Sequence, residues 1–183
     1  MCAICTSDHR FTYTLSGWPN SVHDSRVWSS SQISRQPSSF FSKGEYLLAD
    51  SAYSSTLYVI SPYKKPTSLS NNSQHFNRIL SSIRIDIEHA FGMLKGRWKS
   101  LCGLRLKVDT DEHYEYAIQW IIACVVLHNV LLDVQDSWTE NEGWWTPEVD
   151  AEHESDLEGI YNEQKQQGLQ KREHIKSIVL ANV

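Results

Sequence analysis

Apolar residues in the middle of the chain recur every three or four positions, which is the period of one helix face. The recurring positions are Phe76, Leu80, Ile83, Ile87, Ala90 or Phe91, Leu94 and Trp98. This spacing predicts an amphipathic helix over residues 76–101 that buries the apolar stripe. A second segment, from about residue 112 to residue 132, is apolar nearly all round, and it predicts a helix in the core.

Strands are predicted by alternation and by short apolar runs. Phe11, Tyr13 and Leu15 alternate with polar residues, which predicts a half-buried strand with these three side chains on one face. Residues 45–50 form a short apolar run that ends in an acid, which is typical of a buried parallel strand. Residues 58–62 predict another short strand or sheet edge.

The remaining segments are less regular. Asp24, followed by apolar positions, predicts a short helix, and the Ser-rich residues 29–42 and polar residues 67–73 predict loops. Residues 134–162 turn acidic, with Gly and Pro, and are expected to be weakly ordered. Residues 163–181 are expected to form an isolated terminal helix.

Composition narrows the class of protein. Hydrophobic residues make up 40% of the 183 residues and charged residues 21%, which fits a soluble globular chain. No run of about 18 consecutive apolar residues occurs, which argues against a membrane span. The first residues carry no charged segment followed by a long apolar one, so no secretory signal is expected.

The four cysteines are too few for a disulfide scaffold, and a reducing compartment is expected. Cys2 and Cys5 form a C-x-x-C pair, for which zinc binding and redox chemistry are the alternatives to a plain structural role. A zinc site would need a second ligand pair. The candidates are scattered, at Cys102, His113, Cys124 and His128, and Cys124 is expected in the core.

Charge is distributed unevenly along the chain. Residues 64–107 hold nine basic and two acidic side chains, whereas residues 108–183 hold four basic and sixteen acidic ones. The middle block has the charge of a phosphate-binding surface, although a solvated helix face looks the same. The acidic block would repel nucleic acid, so it is expected to solvate a tail or contact a basic partner.

Two acids have a context that suggests chemistry. Asp50 ends an apolar strand, where open α/β sheets place their ligands, and Glu88 lies beside the apolar stripe of the long helix. Two carboxylates that converge would hold Mg²⁺ or Mn²⁺, which prefer oxygen ligands. The structural alternative is that Glu88 pairs with Arg84, four positions before it.

A series of short motifs also indicates a protein family. In order, they are residues 17–27 (GWPNSVHDSRV), 48–53 (LADSAY), 61–63 (SPY), 76–84 (FNRILSSIR), 87–98 (IEHAFGMLKGRW) and 127–129 (LHN). Together they resemble the DDE superfamily endonuclease domain of PIF/Harbinger-type transposases and Harbinger transposase-derived nucleases. The resemblance covers about residues 1–133, which leaves residues 134–183 as an acidic tail.

The resemblance implies an α/β fold of the ribonuclease H-like type, with a mixed sheet flanked by helices. It also implies an acidic triad that binds divalent metal and cleaves DNA phosphodiesters. Asp50 matches the second acid of that triad and Glu88 the third. Asp24 matches a recurrent acid outside the triad and lies either near the metals or at a helix N-cap, and the neighbouring His23 is expected to be a loop hydrogen-bonder.

The remaining implications concern DNA. Lys95, Arg97, Lys99, Arg105 and Lys107 would track its backbone, while Arg84 would contact phosphate or orient Glu88. A Myb-like partner protein and a nuclear location are expected from the family.

The chain also departs from the family pattern. The family's first Asp lies upstream of the strand at residues 11–15, so we expect the first strand and this acid to be missing. Ala49 and Ala52 replace glycines, and His89 replaces an arginine. The sequence thus leaves two functions open: a metal-dependent DNA nuclease, impaired by the missing acid, or a non-catalytic protein that binds DNA or a protein partner.

Overall fold

The computed structural model describes residues 1–19, 22–136 and 162–181. Its strands are β1 (Cys2–Cys5), β2 (Phe11–Leu15), β3 (Leu47–Leu48) and β4 (Val59–Ile60). Its α-helices are α1 (Asp24–Ser30), α2 (Gln32–Arg35), α3 (Asn71–Arg97), α4 (Asp111–Asp133) and α5 (Asn162–Ala181). The fold is mixed α/β, mostly helical with small sheets. The described residues fall into two compact units, residues 1–19 with 85–136, and residues 22–84 with 162–181.

In the first unit, β1 and β2 form an antiparallel hairpin whose register is interrupted by a bulge. Ile4 pairs with Tyr13, but Cys5 pairs with Phe11, so β2 carries one extra residue, Thr12, between them. Such a bulge locally disrupts the pairing of the two strands. Phe11 is buried, whereas Tyr13 and Leu15 are half-buried, and the predicted strand over residues 11–15 is confirmed.

The core of the first unit lies between the hairpin and two helices. Its buried members are Phe11 of β2, Ala90 and Leu94 of α3, and Cys124 and Val125 of α4. The rings of Phe11 and Phe91 meet at a tilt, with 5.3 Å between centroids. The apolar stripe predicted for α3 is thus confirmed in this half of the helix.

Among the residues that the structure describes, helix α4 is buried along one face. Within the described chain, its buried residues are Cys124, Val125 and His128. The large apolar residues on its other sides are exposed: Tyr114, Tyr116, Trp120, Ile122, Val126, Leu127 and Val130. The prediction of a helix buried all round is therefore wrong. By length and composition alone, α4 is long and apolar enough to cross a membrane, although a single helix of this kind is weak evidence for a membrane span.

Asn129 joins α4 to the hairpin. Its side-chain Oδ1 accepts a hydrogen bond from the Phe11 N–H at 3.0 Å, and its Nδ2 donates to the Phe11 carbonyl at 2.8 Å. One carboxamide thus pairs with both backbone groups of a hairpin residue. The preceding residue, His128, also contacts the hairpin, because its Nε2 lies 2.9 Å from the His9 carbonyl oxygen.

In the second unit, β3 and β4 pair in parallel, as expected for the strand that precedes Asp50. The core of this unit contains Ile60 of β4 together with Tyr63, Phe76 and Leu80. Asn77 of α3 repeats the arrangement of Asn129: its Oδ1 accepts from the Tyr63 N–H at 2.9 Å and its Nδ2 donates to the Tyr63 carbonyl at 3.0 Å.

Helix α5 belongs to the second unit and packs against its strands and core. The expectation of an isolated helix is therefore wrong. Ile175 packs on the cluster around Ile60, and Lys171 donates to the Leu57 carbonyl at 2.9 Å. A Cβ at Gly168 would clash with the Thr56 backbone, so glycine permits the close approach. Residues 137–161, within the segment expected to be weakly ordered, lie outside the described residues.

Several element boundaries also differ from the predictions. Helix α3 begins at Asn71, five residues before the first position of its stripe, because Ser70 accepts from the Ser73 N–H as a capping serine does. Ile83 is exposed although it continues the stripe. The predicted loop over residues 29–42 contains the short helix α2, which Ser31 caps.

We expect Asn129→Ala to destabilise the protein by about 1–3 kcal/mol, because it leaves two backbone groups of Phe11 without their partner. Urea unfolding followed by circular dichroism measures this. The matched control is Gln119→Ala, which removes an exposed amide from the same helix and is expected to change stability little. Equal losses in the two variants would contradict the role given to Asn129.

Thiol labelling tests which face of α4 is buried. Cys124 is 2% exposed, and burial raises the pKa of its thiol, whereas Cys102 is exposed. Because the thiolate is the reacting form, iodoacetamide at neutral pH should modify Cys124 at least about tenfold more slowly than Cys102. Peptide mass spectrometry over a time course measures both rates, and similar rates in the folded protein would show that α4 is packed differently.

Candidate functional site

Asp50 directly follows the parallel pair of strands, and its carboxylate is held by two contacts. Oδ1 accepts a hydrogen bond from the Ala52 N–H at 2.7 Å, which closes a tight turn after β3. Oδ2 lies 3.9 Å from the Arg84 guanidinium on α3. The side chain remains 24% exposed, so water and ions can reach it. Arg84 is therefore an ion-pair partner of Asp50.

Helix α1 lies beside the loop that carries Asp50. The ring of Trp28 on α1 meets the Tyr53 ring edge-on, with 6.3 Å between centroids. Asp24 is the first residue of α1 and is exposed, and His23 is the N-cap residue. The N-cap alternative for Asp24 is thus wrong. Its negative charge in the first turn still interacts favourably with the helix dipole.

Glu88 lies on α3, within the first unit, and is partly exposed. Asp24 and Asp50 belong to the second unit. The structure thus brings Asp50 together with Arg84, and α1 close to the Asp50 loop. Glu88 has Asp86 and His89 as neighbours on its own helix.

The basic residues expected to face DNA are of two kinds. Lys99, Arg105 and Lys107 are exposed and Lys95 is half-buried. The Arg97 side chain, in contrast, is 5% exposed and forms an ion pair with Asp136 at 3.2 Å. The expectation that Arg97 belongs to an exposed basic surface is therefore wrong.

Arg97 instead orients His128. Its guanidinium lies 3.1 Å from His128 Nδ1, and since a guanidinium only donates, Nδ1 is an acceptor. The ring proton then lies on Nε2, which donates to the His9 carbonyl. Burial is the main cause that lowers the pKa of His128; the hydrogen bond to the His9 carbonyl opposes this shift and the Arg97 charge adds to it. The LHN motif is thus explained by packing contacts.

Cys2 and Cys5 do not form a shared site. They are three residues apart on β1, so their side chains point to opposite faces of the hairpin. Their Cα atoms are about 10 Å apart in an extended strand, which is too far for a disulfide. Burial, followed by the carboxylates of Asp86 and Asp8, raises the pKa of Cys5 to about 11, which disfavours the thiolate that metal binding and redox chemistry require.

The structure also shows a group that the sequence motifs did not indicate. His9, Asp86 and His89 each place one metal-ligating atom within 4.8 Å of the other two. Asp86 and His89 are three positions apart on one helix, a spacing that puts two side chains on the same face. That spacing was a usable signal, but the third member lies far away in the sequence and was not predictable.

Comparisons with known proteins agree with the motif series. The family described as DDE superfamily endonuclease matches residues 1–129. Protein ALP1-like of Arabidopsis thaliana is 27% identical over 158 aligned residues, covering 76% of this chain and 36% of that protein. The Homo sapiens protein named "Putative nuclease HARBI1" is 28% identical over 145 aligned residues, covering 77% of this chain and 40% of that protein.

The chain spans at most 40% of the length of these two curated relatives. No solved structure matches it. The resemblance found from the motifs is nevertheless confirmed, since the family match covers more than half of the 183 residues. The chain belongs to the DDE superfamily endonuclease family.

Proposed function

We propose that this chain contributes to a nuclease that cleaves DNA with the help of a divalent metal ion, Mg²⁺ or Mn²⁺. The observation that carries the proposal is the family match over residues 1–129, which includes both candidate acids. Asp50 and Glu88 are the proposed metal ligands. The proposed fold is ribonuclease H-like, a finer assignment supported by the parallel pair β3–β4 and the helices that flank it.

The donor atoms fit such a metal. Carboxylate oxygens are the ligands that Mg²⁺ and Mn²⁺ prefer. When bound, these ions activate water and stabilise the leaving oxygen in phosphodiester cleavage. Asp50 is oriented by the Ala52 N–H, so its carboxylate direction is set before any ligand arrives. Arg84 forms an ion pair with Asp50, so its guanidinium would place a positive charge next to a phosphate bound at Asp50.

Asp24 is proposed as an auxiliary acid near the metal, because α1 is fastened next to the Asp50 loop by Trp28 and Tyr53. Two matched acids hold a cation less well than three, so we expect slow cleavage by this chain alone. The alternative is a non-catalytic protein that binds DNA or a partner. A Myb-like partner and a nuclear location are further proposals from the family.

Lys95 and Lys99, at the end of α3 and just after it, are proposed to contact the DNA backbone. Arg105 and Lys107 extend the same exposed basic segment. Arg97 is left out, because its guanidinium is buried against Asp136 and His128.

Replacing the acids tests the catalytic proposal. With Mn²⁺ and a supercoiled plasmid, Asp50→Ala and Glu88→Ala should each reduce nicking at least about tenfold, because each removes a proposed metal ligand. The control Glu115→Ala removes an exposed carboxylate from α4 and should leave the rate unchanged. Nicking that survives in both variants would contradict the catalytic proposal, and DNA binding without nicking by the unaltered chain would favour the non-catalytic alternative.

Replacing the lysines tests the DNA-facing surface. Lys95→Ala/Lys99→Ala should weaken binding to all duplex sequences alike and reduce the slope of log affinity against log salt by about 2, because each ammonium group neutralises about one phosphate. Fluorescence anisotropy at several salt concentrations measures the slope. Lys165→Ala, an exposed lysine on α5, is the control, and an equal slope for the double variant and the unaltered chain would contradict the assignment.

A further inference from the structure

The group formed by His9, Asp86 and His89 lies entirely within the first unit. His9 belongs to the turn between β1 and β2, whereas Asp86 and His89 lie on α3. The two imidazole rings are 5.8 Å apart between centroids and tilted by 53°. Glu88 lies between the two α3 residues in sequence but on another side of the helix, because successive residues turn by about 100°.

His9 is held in an unusual conformation that supports a ligand role. Its φ is +63°, a value that non-glycine residues rarely adopt and that persists only where surrounding contacts hold it. Those contacts are the hydrogen bond from the His9 N–H to the Thr6 carbonyl at 3.0 Å and the one from His128 Nε2 to the His9 carbonyl at 2.9 Å. The backbone is thus fixed on both sides of the side chain.

One nitrogen of the His9 ring lacks a hydrogen-bond partner. This atom, Nε2, is buried and has no partner among the described residues. A buried polar nitrogen without a partner is costly. A metal ion bound at this ring would compensate for part of that cost.

The donor set indicates the class of ion. Two imidazole nitrogens and one carboxylate suit zinc-class transition metals, whereas Mg²⁺ prefers oxygen alone. With metal–ligand bonds of about 2.0–2.2 Å, ligand atoms of a tetrahedral site lie about 3.3 Å apart. Because the three ligand atoms lie within 4.8 Å of one another, each pair needs at most about 1.5 Å of contraction to reach that value.

We infer that His9, Asp86 and His89 bind one zinc-class divalent ion, which fastens the turn between β1 and β2 to α3. The three ligands leave a fourth position for water. This site is separate from the acids proposed for DNA cleavage, since it uses neither Asp50 nor Glu88. Its existence does not depend on catalytic activity.

Calorimetry with Zn²⁺ on the chelator-treated full chain tests the inference. One equivalent should bind, and His89→Gln and His9→Asn should each weaken that binding at least about tenfold, as loss of a ligand does. Asparagine is chosen at residue 9 because it tolerates positive φ. His174→Gln, an exposed histidine of the second unit, is the matched control and should bind as the unaltered chain does.

A second readout identifies the ligands. Co²⁺ bound by imidazole in a four-coordinate site gives visible absorption, which should appear in the unaltered chain and in Asp50→Ala/Glu88→Ala but not in His89→Gln. Circular dichroism without metal confirms that each variant is folded. Zn²⁺ affinity that is unchanged in both ligand variants, or absent from the folded unaltered chain, would overturn the inference.

Discussion

Helix α3 is the element on which the rest of the structure depends. Phe76 and Leu80 near its beginning belong to the core beneath β4, while Ala90 and Leu94 near its end belong to the core beneath the hairpin. A single helix of 27 residues therefore supplies buried side chains to both compact units. Because Phe76, Leu80, Ala90 and Leu94 are committed to packing, the polar positions of the helix remain for chemistry. The residues of interest, Arg84 to His89, lie on this helix.

Two asparagines connect this packing to the family motifs. Asn77 pairs with both backbone groups of Tyr63, and Asn129 does the same for Phe11. In each case a helix side chain forms hydrogen bonds with both backbone groups of a buried residue in an extended segment, which satisfies those groups. Motifs that look functional in the sequence, such as LHN, can thus be explained by structure, which leaves the acids as the stronger candidates for function.

Local pattern predicted the local structure and the family, while long-range contacts decided the rest. The stripe of α3 follows from periodicity and was confirmed except at Ile83, which is exposed. The parallel strand before Asp50 follows from a short apolar run; its parallel pairing was confirmed, but Leu47 and Leu48 are only half-buried. The bulge at Thr12 was not predictable, because an extra residue in one strand is defined only by its partner. The burial of Arg97 and the docking of α5 likewise depend on residues distant in sequence, Asp136 in one case and Thr56 in the other. Hydrophobic composition could not show that the described residues cover a single face of α4. The group around His9 joins a turn to a helix, so its members carry no common motif.

The chain belongs to the DDE superfamily endonuclease family, and the central proposal is that Asp50 and Glu88 are metal ligands. Mn²⁺ titration by calorimetry, on the unaltered chain and on Asp50→Ala/Glu88→Ala, tests it most directly. Both proteins keep His9, Asp86 and His89, so any binding at those residues is common to the two titrations and cancels in their difference. The account predicts that the double variant loses one Mn²⁺ equivalent while remaining folded. Identical Mn²⁺ binding by the two proteins would contradict it.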